Sequence, residues 1–317
     1  MPTPTPIAAF DIDPDGSAQA IDLSARASKS DWRWTHFDLA DPHLADWLTT
    51  QVDPLIAKAL LAAETRPRVD AFDEGLIVTL RGVNLNPDAD PEDMVSLRLW
   101  VTPTQIITVR KRRLMALDAL RQQAEKGTAP ASPAAFLSAL VDGLCHRIEV
   151  VSLQFEEMVD ALEESSLNAD QSTSEECLAL RQSIIKLRRF VGPQREAVER
   201  LATDVTGILQ ATHSNHLREA ANRTARTVEA LDASRDRLMA IQEHVDAHSA
   251  MTLGRNSYVL SVMAAIFLPL GFLTGLFGVN VAGMPGTEWI WAFAALTALS
   301  TAIGIALYAV FRWRGWL

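Results

Sequence analysis

The chain has 317 residues, 39 of them acidic and 29 basic, for a formal charge of −10. That length gives room for roughly two domains, and the acidic balance argues against nucleic acid as a partner; it suits either attraction of cations or plain solubility. The charge is unevenly placed, because beyond residue 250 the only acids and bases are Arg255, Glu288, Arg312 and Arg314, leaving 38 acidic and 26 basic residues before them.

In chain order, MPTPTPIAAF has no basic segment followed by an apolar core, so no signal peptide is expected and the large domain should stay in the cytoplasm. Residues 1–112 read as a mixed α/β domain. β-rich or alternating runs occur at 7–12, 32–37, 68–72, 76–81, 95–101 and 105–110. Turn signals separate them, such as Asp13-Pro14-Asp15-Gly16 and Asn84-Leu85-Asn86-Pro87. Short helices are predicted over 42–49 and 54–63, each begun by an Asp-Pro pair.

Residues 113–214 read as helical: 114–126, closed by Gly127, then 133–167, with Leu137, Leu140, Leu144, Ile148, Val151, Phe155, Met158 and Leu162 at three- and four-residue spacing. A polar turn at 168–173 precedes a helix carrying Leu178, Ile184, Ile185, Leu187 and Phe190, which Gly192-Pro193 should interrupt or kink. A last helix is predicted over 215–277. Its stripe runs through Leu217, Ala221, Thr224, Val228, Leu231, Leu238, Ile241, Val245, His248 and Thr252.

The end of that helix, 257–277, has 21 residues without a charge, enough to cross a bilayer. A loop over 278–288 begins Gly278-Val279-Asn280 and ends at Glu288, and a second uncharged run of 23 residues covers 289–311. Arg255 before the hairpin and Arg312 and Arg314 in the tail (312–317) place both termini on the cytoplasmic side and the loop outside. The predicted membrane stripe is Ser257, Leu260 or Ser261, Ala264, Leu268, Gly271 and Gly275, small or apolar residues suited to close helix approach. It is read as continuing the cytoplasmic stripe, with Pro269 able to bend the helix. One hairpin cannot enclose a pore, so transport would require a ring of subunits.

The chemistry-bearing residues are few. There is no Gly-rich phosphate loop, nucleophile elbow or His-Glu-x-x-His, and Cys145 and Cys177 fit no Cys-x-x-Cys pattern; an enzyme, a resident cofactor and a structural zinc site have no support. His244 and His248 are spaced i, i+4, with Glu243 and Asp246 adjoining and Asp236 two turns earlier. Imidazole with carboxylate suits zinc better than magnesium, so these five are candidate cytosolic metal ligands. The alternative is a solvated or interhelical pair. His213 and His216 suit a helix start, and Cys145-His146 suits core packing.

A long helix entering the membrane, a Pro in its outer half, Gly-x-Asn at its end, a short Met284-Pro285 loop, a second span and a basic tail ending Trp316-Leu317 resemble the CorA family of divalent metal-ion transporters. Typical magnesium channels of that family carry Gly-Met-Asn and a Met-Pro-Glu loop; Val279 and Gly286 depart from this and look more like the family's ZntB branch, associated with zinc. The resemblance implies a funnel-shaped homopentamer in the bacterial inner membrane: an α/β cytoplasmic domain, long helices and a two-helix hairpin whose first span lines the pore. It also implies Zn2+ as the cargo, with Mg2+ or Co2+ as alternatives and H+ as a coupled ion. Five copies of Asn280 would then meet the incoming hydrated cation, an amide oxygen accepting hydrogen bonds from its water without a carboxylate's charge. Glu288 would concentrate cations at the mouth. Alternatively, Asn280 is a helix C-cap and Glu288 an interfacial acid at the start of the second span. A membrane-anchored sensor that transports nothing is the third reading.

Overall fold

The computed structural model describes residues 3–23, 32–73, 75–166, 171–203, 207–209, 211–279, 286 and 288–315. The chain forms two compact units, Met1–Glu243 and His244–Leu317.

The first unit is built on a seven-stranded sheet of β1 (Ala8–Ile12), β2 (Ala18–Ala20), β3 (Trp32–Asp38), β4 (Arg68–Phe72), β5 (Gly75–Gly82), β6 (Val95–Val101) and β7 (Gln105–Arg110), in the order β2-β1-β3-β7-β6-β5-β4. Only β3 and β7 pair in parallel; the other neighbours are antiparallel. The two short helices expected between β3 and β4 are α1 (Leu44–Gln51) and α2 (Pro54–Leu60). Asp53 caps α2 by accepting from the Leu55 amide at 2.7 Å, with Pro54 at the first helical position. At α1 the Asp41 carboxylate instead closes a turn on the His43 amide, and the helix starts two residues later than expected.

Alternation along the strands gives the sheet two buried faces. Val95, Leu97, Leu99 and Val101 join one core with Trp32 and Trp34, while Trp100, Ile107 and Val109 join another with α1 and α2. Against the first face pack α3 (Met115–Glu125) and the N-terminal half of α4 (Pro133–Ser166). Ser132 Oγ starts α4 by accepting from the Ala135 amide at 3.1 Å.

Beyond the sheet, α4, α5 (Gln171–Ala202) and the N-terminal part of α6 (Ala211–Phe277) share a second core. Its stripes differ in detail from those read off the sequence. On α4, Val159 rather than Met158 follows Phe155 into the core, and on α5 Cys177, Leu180, Ile184, Leu187 and Val191 are buried while Leu178 and Ile185 face out. The predicted polar turn ends sooner, since α5 is already helical at Gln171. Pro193 does not interrupt α5. Its neighbour Gln194 is fully buried and accepts the Arg81 amide at 2.7 Å, an amide that the shorter strand β4 cannot reach.

The second unit holds the C-terminal part of α6 and α7 (Ala292–Trp313), which starts three residues later than the predicted span because Trp289–Trp291 form a turn. Both helices are long and apolar enough to cross a membrane.

Candidate functional site

Within the second unit, α6 has two contrasting faces. Val262, Ile266, Pro269 and Leu273 are partly covered, whereas Ser257, Leu260, Ser261, Ala264, Leu268, Gly271 and Gly275 are exposed in the single chain. The second set lies roughly opposite the first, at alternating steps of three and four residues. Phe267, Gly271 and Thr274 also edge an open groove with Ser300, Thr301 and Gly304 of α7, so Gly271 stands at the border of the exposed stripe.

The hydroxyls of this segment are satisfied by their own backbone. Ser261 Oγ donates to the Ser257 carbonyl at 2.8 Å and Thr274 Oγ1 to the Leu270 carbonyl at 3.0 Å. Bonds of this kind let a hydroxyl reside in an apolar phase while its oxygen lone pairs stay free to accept. Thr274 was missed from the sequence, where only the small and apolar positions attracted notice.

In the first unit Leu231, Ser234, Leu238 and Ile241 are among the buried positions of α6, and in the sequence steps of seven lead from them to Val262, Ile266 and Pro269. By sequence spacing Ser257, Ala264 and Gly271 share a seven-residue register with Asp236 and Glu243, Ser261, Leu268 and Gly275 with Ala240, and Leu260 with Asp246. Hydrophobic periodicity alone merges the two faces, because Ala, Gly and Ser pass as interior residues on either.

This register also sorts the candidate metal ligands. Asp236 and Glu243 share the exposed register, and Asp246 shares that of Leu260; His248 falls on the covered one and His244 on neither, although all five side chains are exposed in the single chain. Arg235 engages Asp236 at 2.8 Å, which offsets its charge. Among the described residues no group of three or more His, Cys, Asp or Glu side chains is gathered closely enough to hold a metal ion, so one chain does not assemble the expected cytosolic site. His213 and His216 lie inside the first turns of α6 rather than before it. Cys145 is buried, with Thr224 Oγ1 3.3 Å from its sulfur, and burial pushes its thiol up to about 11, outside the range of a reactive thiolate.

At the end of α6 the Gly278 amide donates to the Gly275 carbonyl at 3.2 Å. A Cβ at Gly278 would stand 2.9 Å from the Thr274 carbonyl oxygen, so the turn leaving the helix excludes a side chain there. Val279 is exposed, Glu288 is exposed in the turn before α7, and Asn280 lies outside the described residues.

The sequence matches the family described as CorA-like Mg2+ transporter protein over residues 29–313. The zinc transport protein ZntB of Yersinia pseudotuberculosis is 30% identical over 312 residues, 98% of this chain and 95% of the relative. The solved structure of the full-length CmaX protein is 30% identical, with 98% of each chain covered and a TM-score of 0.85. The CorA magnesium transporter from Methanocaldococcus jannaschii shares the fold at 15% identity, with 100% of each chain covered and a TM-score of 0.81.

Proposed function

The chain belongs to the family of CorA-like Mg2+ transporter proteins, and we propose that it moves divalent cations across a membrane, with zinc as its principal cargo. The observation that carries this reading is the exposed stripe of α6, Ser257 to Gly275, on a helix segment without a charged side chain. Such a stripe stays exposed to lipid in one chain and faces inward when copies form a ring. Five subunits complete the path, as in the resemblance described above. Zinc is favoured by the ZntB relative, matched over nearly the whole chain, and by Val279 and Gly286 in the loop.

In this reading the cation crosses with much of its water. Asn280 and Glu288 meet it at the outer mouth. Ser261, whose proton is directed at the Ser257 carbonyl, and Ser257 offer oxygen lone pairs that accept hydrogen bonds from coordinated water. Glu243 adds negative charge in the same register on the cytoplasmic side. No acid or base lies between Ser257 and Phe277, so a coupled proton would have to load at the mouth or on the cytoplasmic segment.

A magnesium or cobalt channel of the same architecture is the second reading, favoured by the description of the matched family. Uptake into liposomes holding the purified protein separates the two. Zinc flux that responds to an imposed pH gradient supports the first reading; magnesium flux indifferent to pH supports the second. No flux of either ion would return the hairpin to a membrane anchor.

A further inference from the structure

In the first unit an open cavity of about 780 Å3 lies between the segment after α2, the β5–β6 edge of the sheet and the middle of α5. It gathers Arg66, Arg81, Lys111, Arg112, Lys186 and Arg189 in a chain that is otherwise acidic. The three carboxylates of the lining offset them only in part. Asp93 sits 3.7 Å from Lys186, Glu92 is buried and accepts from Ser183 Oγ, and Glu64 is exposed. Among the described residues Arg66, Arg81, Lys111, Arg112 and Arg189 form no ion pair.

Arg81 forms one inner wall. Its Nη1 donates to the Met94 carbonyl at 2.9 Å and its Nη2 to the Thr65 carbonyl at 2.8 Å, and its guanidinium lies 3.8 Å from the centre of the Phe190 ring. Its Nε is buried without a hydrogen-bond partner, as is Nη1 of Arg98, which is itself bonded to the Ala62 carbonyl beside the cavity. Two partly or wholly buried guanidinium groups are thus held by neutral carbonyls alone. Burial, then the charges of Arg98 and Arg189, hold the Arg81 guanidinium below its usual value. An anion here would relieve that repulsion. The Thr65 and Ser96 hydroxyls bond to each other at 2.6 Å, which leaves one proton of the pair as a neutral donor.

We propose that this cavity binds a polyphosphate anion, either an inorganic chain or the phosphate tail of a nucleotide. Guanidinium forks match phosphate oxygens in pairs, and six cations spread around a cavity of this size suit several linked phosphates better than one. Arg81 lies over the Phe190 ring, the one aromatic ring of the lining, and takes the face that a base would stack on. Recognition therefore rests on the phosphates.

The test is calorimetric titration of sodium tripolyphosphate into the full-length protein in detergent, after chelation of divalent metal and at roughly physiological ionic strength. Saturable binding at one site per chain is expected. Arg81→Gln removes the inner wall but risks the fold, so the rim variants Arg112→Ser and Arg189→Ser carry the test. Each should weaken binding about tenfold, while Lys58→Ser, an exposed lysine outside the cavity, should leave it unchanged. ATP should bind within about threefold of tripolyphosphate, and adenosine should not bind. Absence of saturable binding, rim variants that bind as tightly as the native chain, or equal weakening by Lys58→Ser would overturn the proposal. Much tighter binding of ATP would overturn recognition by phosphate alone.

Discussion

His36 is fully enclosed between Trp34 and the parallel β3–β7 pair, with Nδ1 3.0 Å from Thr108 Oγ1. Burial, and next the charge of Arg110, lowers its pKa from 6.5 to about 3. A folded-state value below the unfolded one means that stability is complete above pH 6.5 and is lost as pH falls toward 3. By pH 5.5 the loss is about 1.4 kcal/mol. Thermal unfolding followed by tryptophan fluorescence should show this decline, and His36→Gln should flatten it; an unchanged slope in the variant would assign the decline to other groups. Glu288 is exposed before α7 and its role rests on field alone. Glu288→Gln should slow zinc uptake most at low ionic strength, where screening is weakest. Equal rates there would leave Glu288 as an interfacial acid.

The elements of the sheet are largely legible in the sequence because each long strand alternates between two cores. Strand β2 is not, since Ala18–Ala20 is three residues with no bulky side chain to mark it. Pro193 shows the opposite failure: a residue that breaks an isolated helix is tolerated where Val191, Gln194 and Val198 pack the turn on either side. The two faces of α6 escaped the sequence for another reason. Ser234 is buried between Leu231 and Leu238, while Asp236 and Glu243 are exposed on the other side, and only burial separates the two stripes. That separation predicts different consequences for neighbouring substitutions. Leu238→Ala should destabilise the helical core by about 2–5 kcal/mol, seen as a lower unfolding temperature. Glu243→Ala should leave that temperature unchanged and slow cation uptake. If Glu243→Ala lowered stability as much as Leu238→Ala, the assignment of faces would be wrong.

At the scale of the whole molecule, the proposed transport needs several copies of the chain to share one path, and a protein that stays monomeric in detergent would exclude it. Asn280, the residue expected at the mouth, lies outside the described residues, so the path itself is the more direct object of test. Ala264 and Leu268 stand on the exposed register of α6, and Val262 and Ile266 on the covered one. Single cysteines at these four positions, in protein reconstituted into liposomes, can be treated with a membrane-impermeant thiol reagent during zinc uptake; the native Cys145 and Cys177 are buried. The account predicts block at Ala264→Cys and Leu268→Cys and none at Val262→Cys and Ile266→Cys. Block at the covered pair alone, or equal block at all four, would contradict it.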